Sequence, residues 1–335
     1  MNGWDASLGG QAAQVRPLNG LLPYWPSCGY YRTVDLQRLS ILGVGLLGGS
    51  IGLACRSRLT NCEITGYGHR ADSLDAGLRL GAIDRATDDP VEAVRGADVV
   101  ILCTPVGIFG DILRKIGPAL KPGALVTDVG STKRSVVSEA EKWVPKGVHF
   151  VGSHPMAGSE KRGVQFARAD LFVDAHCILT PTEKTDPAAA GRIEEFWRLL
   201  GMRTSRMSAE EHDRLVGMVS HVPHAVAAGL VRMQPAEAMR LAGKGFFDTT
   251  RIAGGDGGLW RDILLDNADN VREGLVRLQG ELAELVKKLD AKDAKGIVEW
   301  LDRAAKLRDQ GKPGSHASRL NGGMGSAQAP QQDSD

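Results

Sequence analysis

Hydroxyl, imidazole and carboxyl side chains gather in three short runs of the chain. These residues are Ser131 in DVGSTK, His154, Ser159 and Glu160 in GSHPMAGSE, and His221 and His224 in MVSHVPHAVAAGL. An imidazole exchanges a proton near neutral pH, and a hydroxyl or carboxyl beside it adds a second hydrogen-bonding group. Together the three runs predict one cleft, which Lys133 of DVGSTK would also face, in which a small polar substrate undergoes acid–base chemistry.

Each of these residues also has a purely structural explanation. Ser131 could cap a helix, Glu160 could be a solvated surface acid, and His154 could hydrogen-bond within a turn because it precedes a proline. Their joint placement after a glycine-rich loop favours the functional interpretation. If His154 accepts a proton, acid should inactivate the protein near the ordinary imidazole pKa of about 6.5.

His221 and His224 stand three residues apart, which places them on one face of a helix. That spacing suits two metal ligands, but no third ligand is evident, so the sequence predicts no metal site. Pro223 lacks a backbone N–H and should bend the helix. Further along, Arg251 and Trp260 flank a glycine-rich turn. The guanidinium there could receive a carboxylate bidentately, or it could form a surface ion pair.

A glycine-rich loop follows the first predicted strand, in SILGVGLLGGSIG. Gly43 would make the tight turn, Gly45 would let the backbone approach a pyrophosphate, and Gly48 would let a helix pack closely on the sheet. Other ligand contacts in such sheets lie at the carboxyl ends of the strands. The predicted cofactor-binding residues are Gly43, Gly45, Leu46, Leu47 and Gly48 in the loop, and His69, Arg70, Thr104, Pro105 and Ser131 at later strand ends.

The end of the second strand indicates which dinucleotide is preferred. An acid about 20 residues after the loop usually binds the ribose hydroxyls of NAD, and its charge repels the extra phosphate of NADP. In EITGYGHR that position is Gly68, followed by His69 and Arg70. We therefore predict a preference for NADP, with NAD possible, because a guanidinium can bind the 2′-phosphate bidentately. The alternative is that Arg70 points into solvent and the backbone tolerates either cofactor.

Residues 38–205 have the rhythm of an α/β fold. Six short apolar runs alternate with helical segments, which is typical of βαβ units and a largely parallel sheet. The runs are LSILGVG, CEITGYG, ADVVILCT, ALVTDVG, VHFVGSH and HCILTPT. This pattern predicts a Rossmann-type dinucleotide-binding domain followed by an all-α domain at 206–310, which opens on a capping box of Ser208 and Glu211. Residues 1–37 should form a loosely ordered extension, and residues 311–335 a disordered tail.

The last long predicted helix carries an apolar seam. Its members, four and three residues apart in turn, are Val271, Leu275, Leu278, Leu282, Leu285 and Leu289. A seam of this kind must be buried. It either packs within the same chain or forms an interface between subunits.

Composition excludes several classes of function. A net charge of +1 over 335 residues gives no field that favours nucleic acid or an anionic membrane. The longest apolar runs are far shorter than the roughly 20 residues of a membrane span. Five scattered cysteines without a CxxC pair indicate a reduced protein without a structural zinc. The start, MNGWDASLGGQAAQVRP, lacks the order of a signal peptide. We therefore predict a cytoplasmic protein with a small-molecule substrate.

Five motifs resemble, in order and approximate spacing, those of the prephenate and arogenate dehydrogenases, the TyrA-type enzymes of tyrosine biosynthesis. They are GVGLLGGSIG, DVGSTK, HPMAGSEKRG, SHVPH and TTRIAGGDGGLW, and the resemblance covers residues 38–308. It implies that the all-α domain is a dimerisation domain, which favours the interface explanation of the leucine seam. It also implies oxidative decarboxylation of prephenate or arogenate with hydride transfer to NAD(P). One departure is that members using NAD have GYD where this chain has GYG.

The resemblance assigns roles to individual residues. By similarity, His154 accepts the hydrogen bond of the substrate's C4 hydroxyl, with Ser131 beside it. The substrate-binding residues that it implies are Ser159, Glu160, His221, His224 and Arg251. Of these, His224 and Arg251 would hold the carboxylate-bearing parts of the substrate, and Glu160 would be an ionic gate over the cleft.

Two alternatives remain open. A β-hydroxyacid or 6-phosphogluconate type of dehydrogenase would share the fold, but those enzymes rely on a lysine and an asparagine on the interdomain helix, where this chain has His221 and His224. A non-catalytic dinucleotide-binding sensor would have lost the polar residues of the cleft.

Overall fold

The computed structural model describes residues 36–158 and 161–311, and one sheet organises the first part of them. Its strands are β1 (Arg38–Leu42), β2 (Glu63–Tyr67), β3 (Arg85–Thr87), β4 (Val99–Leu102), β5 (Leu125–Asp128), β6 (His149–Met156), β7 (His176–Thr180) and β8 (Arg203–Arg206). Their order across the sheet is β3-β2-β1-β4-β5-β6-β7-β8. Neighbouring strands are parallel, apart from the antiparallel pair of β6 and β7.

Helices connect the strands of the sheet, and only helices follow the last strand. They are α1 (Leu46–Arg58), α2 (Ala71–Arg79), α3 (Pro90–Val94), α4 (Phe109–Ile116), α5 (Arg134–Trp143), α6 (Pro187–Leu199), α7 (Ala209–Val216), α8 (Val222–Arg232), α9 (Ala236–Arg240), α10 (Lys244–Thr250), α11 (Gly257–Asp266), α12 (Ala268–Asp290) and α13 (Ala294–Gln310). Helices α1 to α6 lie between strands, whereas α7 to α13 all follow β8. The predicted fold class, a Rossmann-type region followed by a helical region, is confirmed. The predicted extension and tail lie almost wholly outside the described residues.

All six predicted strands are present, and the structure adds β3 and β8. The predicted strands are recognisable as apolar runs in the sequence because helices cover central parallel strands on both faces. Every residue of β4 and of β5 is buried. Each fully buried aliphatic side chain contributes roughly 1.5–3 kcal/mol. The two added strands have the sequences RAT and RTSR, and they lie at the sheet edges with exposed or half-buried residues. No apolar run marks them.

The helical region begins where the capping box predicts. The Ser208 hydroxyl accepts a hydrogen bond from the N–H of Glu211 at 3.1 Å, and α7 starts at the next residue. One π-helical turn, Gly217–His221, joins α7 to α8. Pro223 cannot donate a backbone hydrogen bond, and the wider turn ends two residues before it. The bend at Pro223 stays a prediction.

The continuous helical run Ala209–Arg232 is long and apolar enough to cross a membrane, by length and composition alone. Two of its residues are His212 and Asp213, which are fully buried and hydrogen-bonded to the sheet region. Such contacts are those of a core helix in a folded domain.

The leucine seam of α12 is only partly covered by its own chain. Val271 is buried near the start of the helix, where α12 packs on α8 and on the π turn. Further along, Leu282 and Leu289 are 49% and 55% exposed. Packing within the same chain therefore does not bury the whole seam, and the interface explanation stays a prediction.

Candidate active site

The glycine-rich loop joins β1 to α1, and two of its glycines are required by the fold. Gly43 has a φ of +117°, and a Cβ there would lie 2.7 Å from the carbonyl carbon of Cys103. A Cβ on Gly48 would lie 2.1 Å from the carbonyl oxygen of Gly43. A Cβ on Gly45, in contrast, would meet nothing within 4 Å. The fold therefore dictates Gly43 and Gly48, whereas Gly45 borders open space.

That open space fits the pyrophosphate of a dinucleotide. Gly45 is the N-cap of α1, and no side chain caps the helix there. The N–H groups of the first turn, which includes Leu46 and Leu47, therefore lack a side-chain partner and point toward the loop. At the end of β4, the buried hydroxyl of Thr104 has no hydrogen-bond partner in the described parts of the chain, and Pro105 beside it is exposed. These groups are suited to a bound nucleotide.

The end of β2 presents two exposed basic side chains. The Tyr67 hydroxyl lies 2.9 Å from Nε2 of His69. Arg70 precedes α2 as its N-cap and makes no ion pair with another described residue. At Gly68 an added Cβ would meet only the side chain of Leu74, at an ordinary 3.5 Å. The fold thus tolerates an acid at this position, although the chain has none.

A chain of hydrogen bonds holds the central imidazole. His154 lies on β6, and its Nδ1 is 2.9 Å from Nε2 of His212. Nδ1 of His212 is in turn 2.8 Å from Oδ1 of Asp213. The Asp213 carboxylate also accepts hydrogen bonds from the backbone amides of Lys133, at 2.7 Å, and Arg134, at 3.0 Å. Residues of α7 thus reach the sheet region and fix the ring on β6.

Burial keeps these imidazoles neutral. It lowers the pKa of His154 well below the usual 6.5, and the neighbouring His212 and Lys133 lower it further. Burial likewise lowers the pKa of His212. Burial alone would raise the pKa of Asp213, but the hydrogen bonds that it receives from His212 and from backbone amides bring the pKa below its usual value. This environment moves the expected acid loss of activity to a pH below 6.5, and that loss stays a prediction.

His221 and His224 lie in separate surroundings on the same helical run. His221 is fully buried, its Nδ1 is 3.1 Å from Nδ2 of Asn267, and burial lowers its pKa to about 4. Its Nε2 has no hydrogen-bond partner among the described atoms. His224 stacks on Trp260 with ring centroids 3.4 Å apart, and its buried Nδ1 also lacks such a partner. Gly255 permits this stack, because a Cβ there would lie 2.5 Å from the Trp260 ring.

No group of three His, Cys, Asp or Glu side chains in residues 36–158 and 161–311 could hold a metal ion. His221 and His224 each have a different ring environment, one against an amide and one against an indole.

The side chains of the DVGSTK loop, between β5 and α5, have different surroundings. Ser131 is half-buried at the carboxyl end of the sheet. Lys133 does not face the cleft, which corrects the expectation from the sequence. It is fully buried and forms an ion pair with Asp128, which also accepts the backbone N–H of Gly130. This pair fixes the loop that carries Ser131.

Of the remaining predicted residues, the structure describes Arg251. Arg251 is exposed and begins the short helical turn Arg251–Gly254. Ser159 and Glu160 lie outside the described residues. Just after them, Arg162 forms an ion pair with Asp256, the N-cap of α11. The loop that follows β6 therefore contacts the helical region next to Trp260.

Three residues of the site were missed by sequence reasoning. His212 and Asp213 connect His154 to α5, and Asn267 connects His221 to the backbone oxygen of Asp213 at 2.7 Å. A histidine and an acid side by side in EEHDRL were the available signal, since a buried pair of this kind is rarely free of partners. No motif marks Asn267.

Comparison with known proteins gives consistent results across the chain. The family model "Prephenate dehydrogenase, nucleotide-binding domain" matches residues 51–206, and "Prephenate dehydrogenase, dimerization domain" matches residues 208–303. The chain is 36% identical to the prephenate dehydrogenase of Bacillus subtilis (strain 168) over 276 residues, which cover 80% of this chain and 74% of that protein. It is 33% identical to the cyclohexadienyl dehydrogenase of Zymomonas mobilis over 279 residues, covering 81% and 95%. Among solved structures, it is similar to A. aeolicus prephenate dehydrogenase in complex with hydroxyphenyl propionate and NAD+, with a TM-score of 0.77 and 35% identity over 82% of this chain and 98% of that one.

Proposed function

The chain belongs to the prephenate dehydrogenase family, and from this premise we propose how its own residues divide the work of the reaction. That reaction is the oxidative decarboxylation of prephenate or arogenate in tyrosine biosynthesis, with hydride transfer to NAD(P). The observation that supports the assignment best is a buried, neutral His154 at the carboxyl end of the same sheet whose first loop can cradle a pyrophosphate.

His154 is the proton acceptor in this proposal. The ring C4–H of the substrate leaves as a hydride, and the ring carboxylate leaves as carbon dioxide while its bonding electrons complete the aromatic ring. A bound nicotinamide supplies the hydride acceptor. As carbonyl character develops at C4, the C4 hydroxyl becomes a stronger hydrogen-bond donor, and a neutral imidazole stabilises it. Ser131, on the loop beside β6, supplies a second hydrogen bond to that hydroxyl. The product keeps the oxygen as a phenol, so a proton shared with His154 during hydride transfer returns to that oxygen as the ring becomes aromatic.

His221 presents a hydrogen-bond donor to the substrate. The amide oxygen of Asn267 accepts from Arg134 at 3.2 Å and from Asn270 at 2.8 Å. Its amide nitrogen must therefore donate to Nδ1 of His221, which places the proton of the neutral ring on Nε2. This N–H has no partner within hydrogen-bonding geometry among the described atoms, although the Ser131 backbone lies close enough to act on the ring, and in this proposal a substrate oxygen accepts from it.

Further substrate contacts come from the rim of the cleft. Arg251 suits a substrate carboxylate, because a guanidinium binds one bidentately. His224, which is held flat against Trp260, contributes a second polar contact for the carboxylate-bearing part. Ser159 and Glu160 stay predictions as a substrate contact and as an ionic gate.

We propose NADP as the preferred cofactor, with NAD also accepted. Gly68 supplies no carboxylate to bind the ribose hydroxyls of NAD or to repel a phosphate, and the exposed Arg70 and His69 follow it. An arginine–phosphate contact would favour NADP by roughly 1.5–3 kcal/mol, which is about 10- to 150-fold in affinity.

The assembly proposed is a homodimer through the helical region at 206–310, which follows the Rossmann-type region at 38–205. The family model that describes a dimerization domain matches most of this region, and two of the six residues of the α12 seam, Leu282 and Leu289, are exposed in one protomer. A second copy would cover them. We also propose that the protein is cytoplasmic, as expected of a biosynthetic enzyme whose cysteines are free thiols where the structure describes them.

Steady-state kinetics test this function directly. The purified protein is assayed with prephenate and with arogenate, each with NAD and with NADP. We expect reduced cofactor and carbon dioxide in equal amounts with at least one substrate, and higher kcat/KM with NADP. The absence of turnover in all four combinations would contradict the proposed activity and favour a non-catalytic nucleotide-binding role.

A further inference from the structure

We propose that His212 and Asp213 are positioning residues that fix the tautomer of His154, so that its Nε2 carries the lone pair and its Nδ1 carries the proton. This inference rests on the role of His154 as proton acceptor. It adds two residues that contact neither substrate nor cofactor but decide which ring nitrogen can accept a proton.

The Asp213 carboxylate is the fixed point of the arrangement. Its Oδ1 accepts the backbone N–H of Lys133 at 2.7 Å, and its Oδ2 accepts the backbone N–H of Arg134 at 3.0 Å and the Nε–H of the same arginine at 3.3 Å. These amides open α5, where a negative charge is favoured. The carboxylate is fully buried and surrounded by donors, so it is ionised and only accepts hydrogen bonds.

The proton positions then follow one from the next. Because Oδ1 of Asp213 only accepts, Nδ1 of His212, 2.8 Å away, must carry a proton. His212 is neutral, so its Nε2 has none and is a hydrogen-bond acceptor. Nδ1 of His154, 2.9 Å from that nitrogen, must therefore donate. The neutral His154 ring is left with an unprotonated Nε2.

The opposite proton order is disfavoured. It would place the lone pair of His212 Nδ1 against the lone pairs of Asp213 Oδ1 at 2.8 Å, and a buried carboxylate would lose a donor. Loss of a hydrogen bond to a charged group makes that order about 10- to 150-fold less populated. Neither ring nitrogen of His212 remains for another contact, and the residue is fully buried. It therefore acts only through His154.

The hydrogen bonds that run from His154 through His212 to Asp213 connect the two regions of the protein. His154 and the amides of Lys133 and Arg134 belong to the sheet region, whereas His212 and Asp213 belong to α7. The correct tautomer is therefore set only where α7 is docked against the start of α5.

Asp213→Asn is the informative substitution, because it keeps the shape of the side chain. Two N–H donors of Arg134 face Oδ2 of Asp213. Only one fixed donor, the backbone N–H of Lys133, faces Oδ1, together with Nδ1 of His212. The amide nitrogen of asparagine should thus take the Oδ1 position and donate to Nδ1 of His212. Both rings then shift to the Nε2–H tautomer, and His154 loses its lone pair toward the substrate. By analogy with the serine proteases, we expect kcat to fall about 10²- to 10⁴-fold, while KM changes less than about threefold.

Two readouts separate tautomer control from a structural role. The first is a two-bond ¹H–¹⁵N correlation spectrum of histidine-labelled protein, which distinguishes the two neutral tautomers; His154→Gln identifies the His154 signals. We expect the Nδ1–H pattern in the wild type and the Nε2–H pattern in Asp213→Asn. The second is the matched control Asp269→Asn, which removes another ion pair of Arg134 without touching His212. Its kcat should stay within about threefold of wild type.

Each outcome that contradicts the proposal has its own interpretation. An Nε2–H pattern for His154 in the wild-type protein would overturn the proposal even if Asp213→Asn failed to fold. Wild-type kcat in a folded Asp213→Asn protein would overturn it as well. A lower kcat with an unchanged His154 tautomer would show that Asp213 is structural. A wild-type protein that turns over neither substrate would instead refute the proposed function, and the spectrum would still report the tautomer.

Discussion

At the level of single residues, the proposed proton acceptor, His154, is held in place by His212 and Asp213, which do not contact the substrate in this proposal. His154 accepts a hydrogen bond well only while it is uncharged, and its surroundings favour the uncharged ring. His212, Lys133 and His221 are the titratable groups close enough to affect it, and each disfavours a positive charge on His154. The environment thus extends the pH range in which the proton acceptor is available.

This lowered pKa predicts how activity depends on pH. Protonation of His154 removes the acceptor, and its pKa lies well below 6.5, so the loss must occur at lower pH than for an ordinary imidazole. We expect kcat/KM to be nearly constant between about pH 7.5 and about pH 6, and to decline only in more acidic buffer. A pH series at constant ionic strength measures this. A half-maximal value near pH 6.5 would show that another group controls the acid limb.

Gly68 and Arg70 give a prediction about cofactor choice. Arg70→Ala should remove most of the preference for NADP and leave kinetics with NAD nearly unchanged, because only the 2′-phosphate contact is lost. Gly68→Asp should reverse the preference toward NAD, since the new carboxylate binds the ribose hydroxyls and repels the phosphate. The fold accommodates that side chain, as an added Cβ meets Leu74 at 3.5 Å.

The measurement is kcat/KM with each cofactor for the wild type and both variants. Arg79→Ala is a suitable control, since it removes an arginine from the last turn of α2 instead of from its start. A wild-type enzyme that is more efficient with NAD than with NADP would contradict the prediction.

The sequence predicted candidate site residues better than the side chains that support them. His154, His221 and His224 were predicted because each stands in a motif with a chemical reason for its residue type. Their partners lie far away in sequence: His212 is 58 residues from His154, and Asn267 is 46 residues from His221. Spacing along a single helix or strand carries no information about such contacts. Lys133 shows the same limit, because a lysine beside a cleft and a lysine buried against Asp128 look identical in the sequence.

At the level of helices and strands, hydrophobic pattern was informative wherever an element is buried on both sides. β4 was predicted from an unbroken apolar run. β8 was not predicted, because its residues, RTSR, are polar and lie at an edge of the sheet. The α12 seam was recognised by its spacing, but the pattern could not tell an intramolecular partner from a second copy. Exposure of Leu282 and Leu289 favours the second copy.

A substitution in α12 tests that interface. Leu282 is 49% exposed in one protomer, so Leu282→Asp should cost little within the monomer but should bury a charge in a dimer. We expect the variant to sediment as a monomer at micromolar concentration, where the wild type sediments as a dimer. Leu80→Asp is the matched control, because Leu80 is 45% exposed beside α2 in the sheet region. A monomeric wild type would contradict the proposed assembly.

At the level of the whole molecule, a polar junction joins the sheet region to the helical region. Arg134, at the start of α5, bonds to Asp213 of α7, to Asn267, and to Asp269 of α12. Ser135 adds a hydrogen bond to Asp266 at 2.6 Å. These contacts place the proposed proton acceptor, His154, of one region against residues of the other, so the proposed site is complete only when the two regions are docked.

The buried histidines make the stability of this junction depend on pH. Their folded-state pKa values lie below the unfolded value of 6.5, so the unfolded chain binds more protons in acid, and the free energy of unfolding falls as the pH drops below about 6.5. For His221 alone, a pKa of about 4 corresponds to roughly 3 kcal/mol lost once the pH is below that value.

We therefore expect the Tm to fall between about pH 7 and about pH 5, before most carboxylates titrate. Differential scanning calorimetry measures the shift. His221→Gln should lower the Tm at neutral pH but flatten its dependence on pH, because one titrating group is removed. An equal Tm at both pH values would contradict the prediction.

Gly68 also bears on how this lineage can change over time. Gly43 and Gly48 are held by the backbone around them, so nearly every substitution there would be purged. Gly68 is under no such constraint, and a glycine codon can become an aspartate codon through a single base change. With the cofactor preference proposed above, selection could therefore redirect electrons from one cellular pool of reducing equivalents to the other by a point mutation, with the fold and His154 left intact.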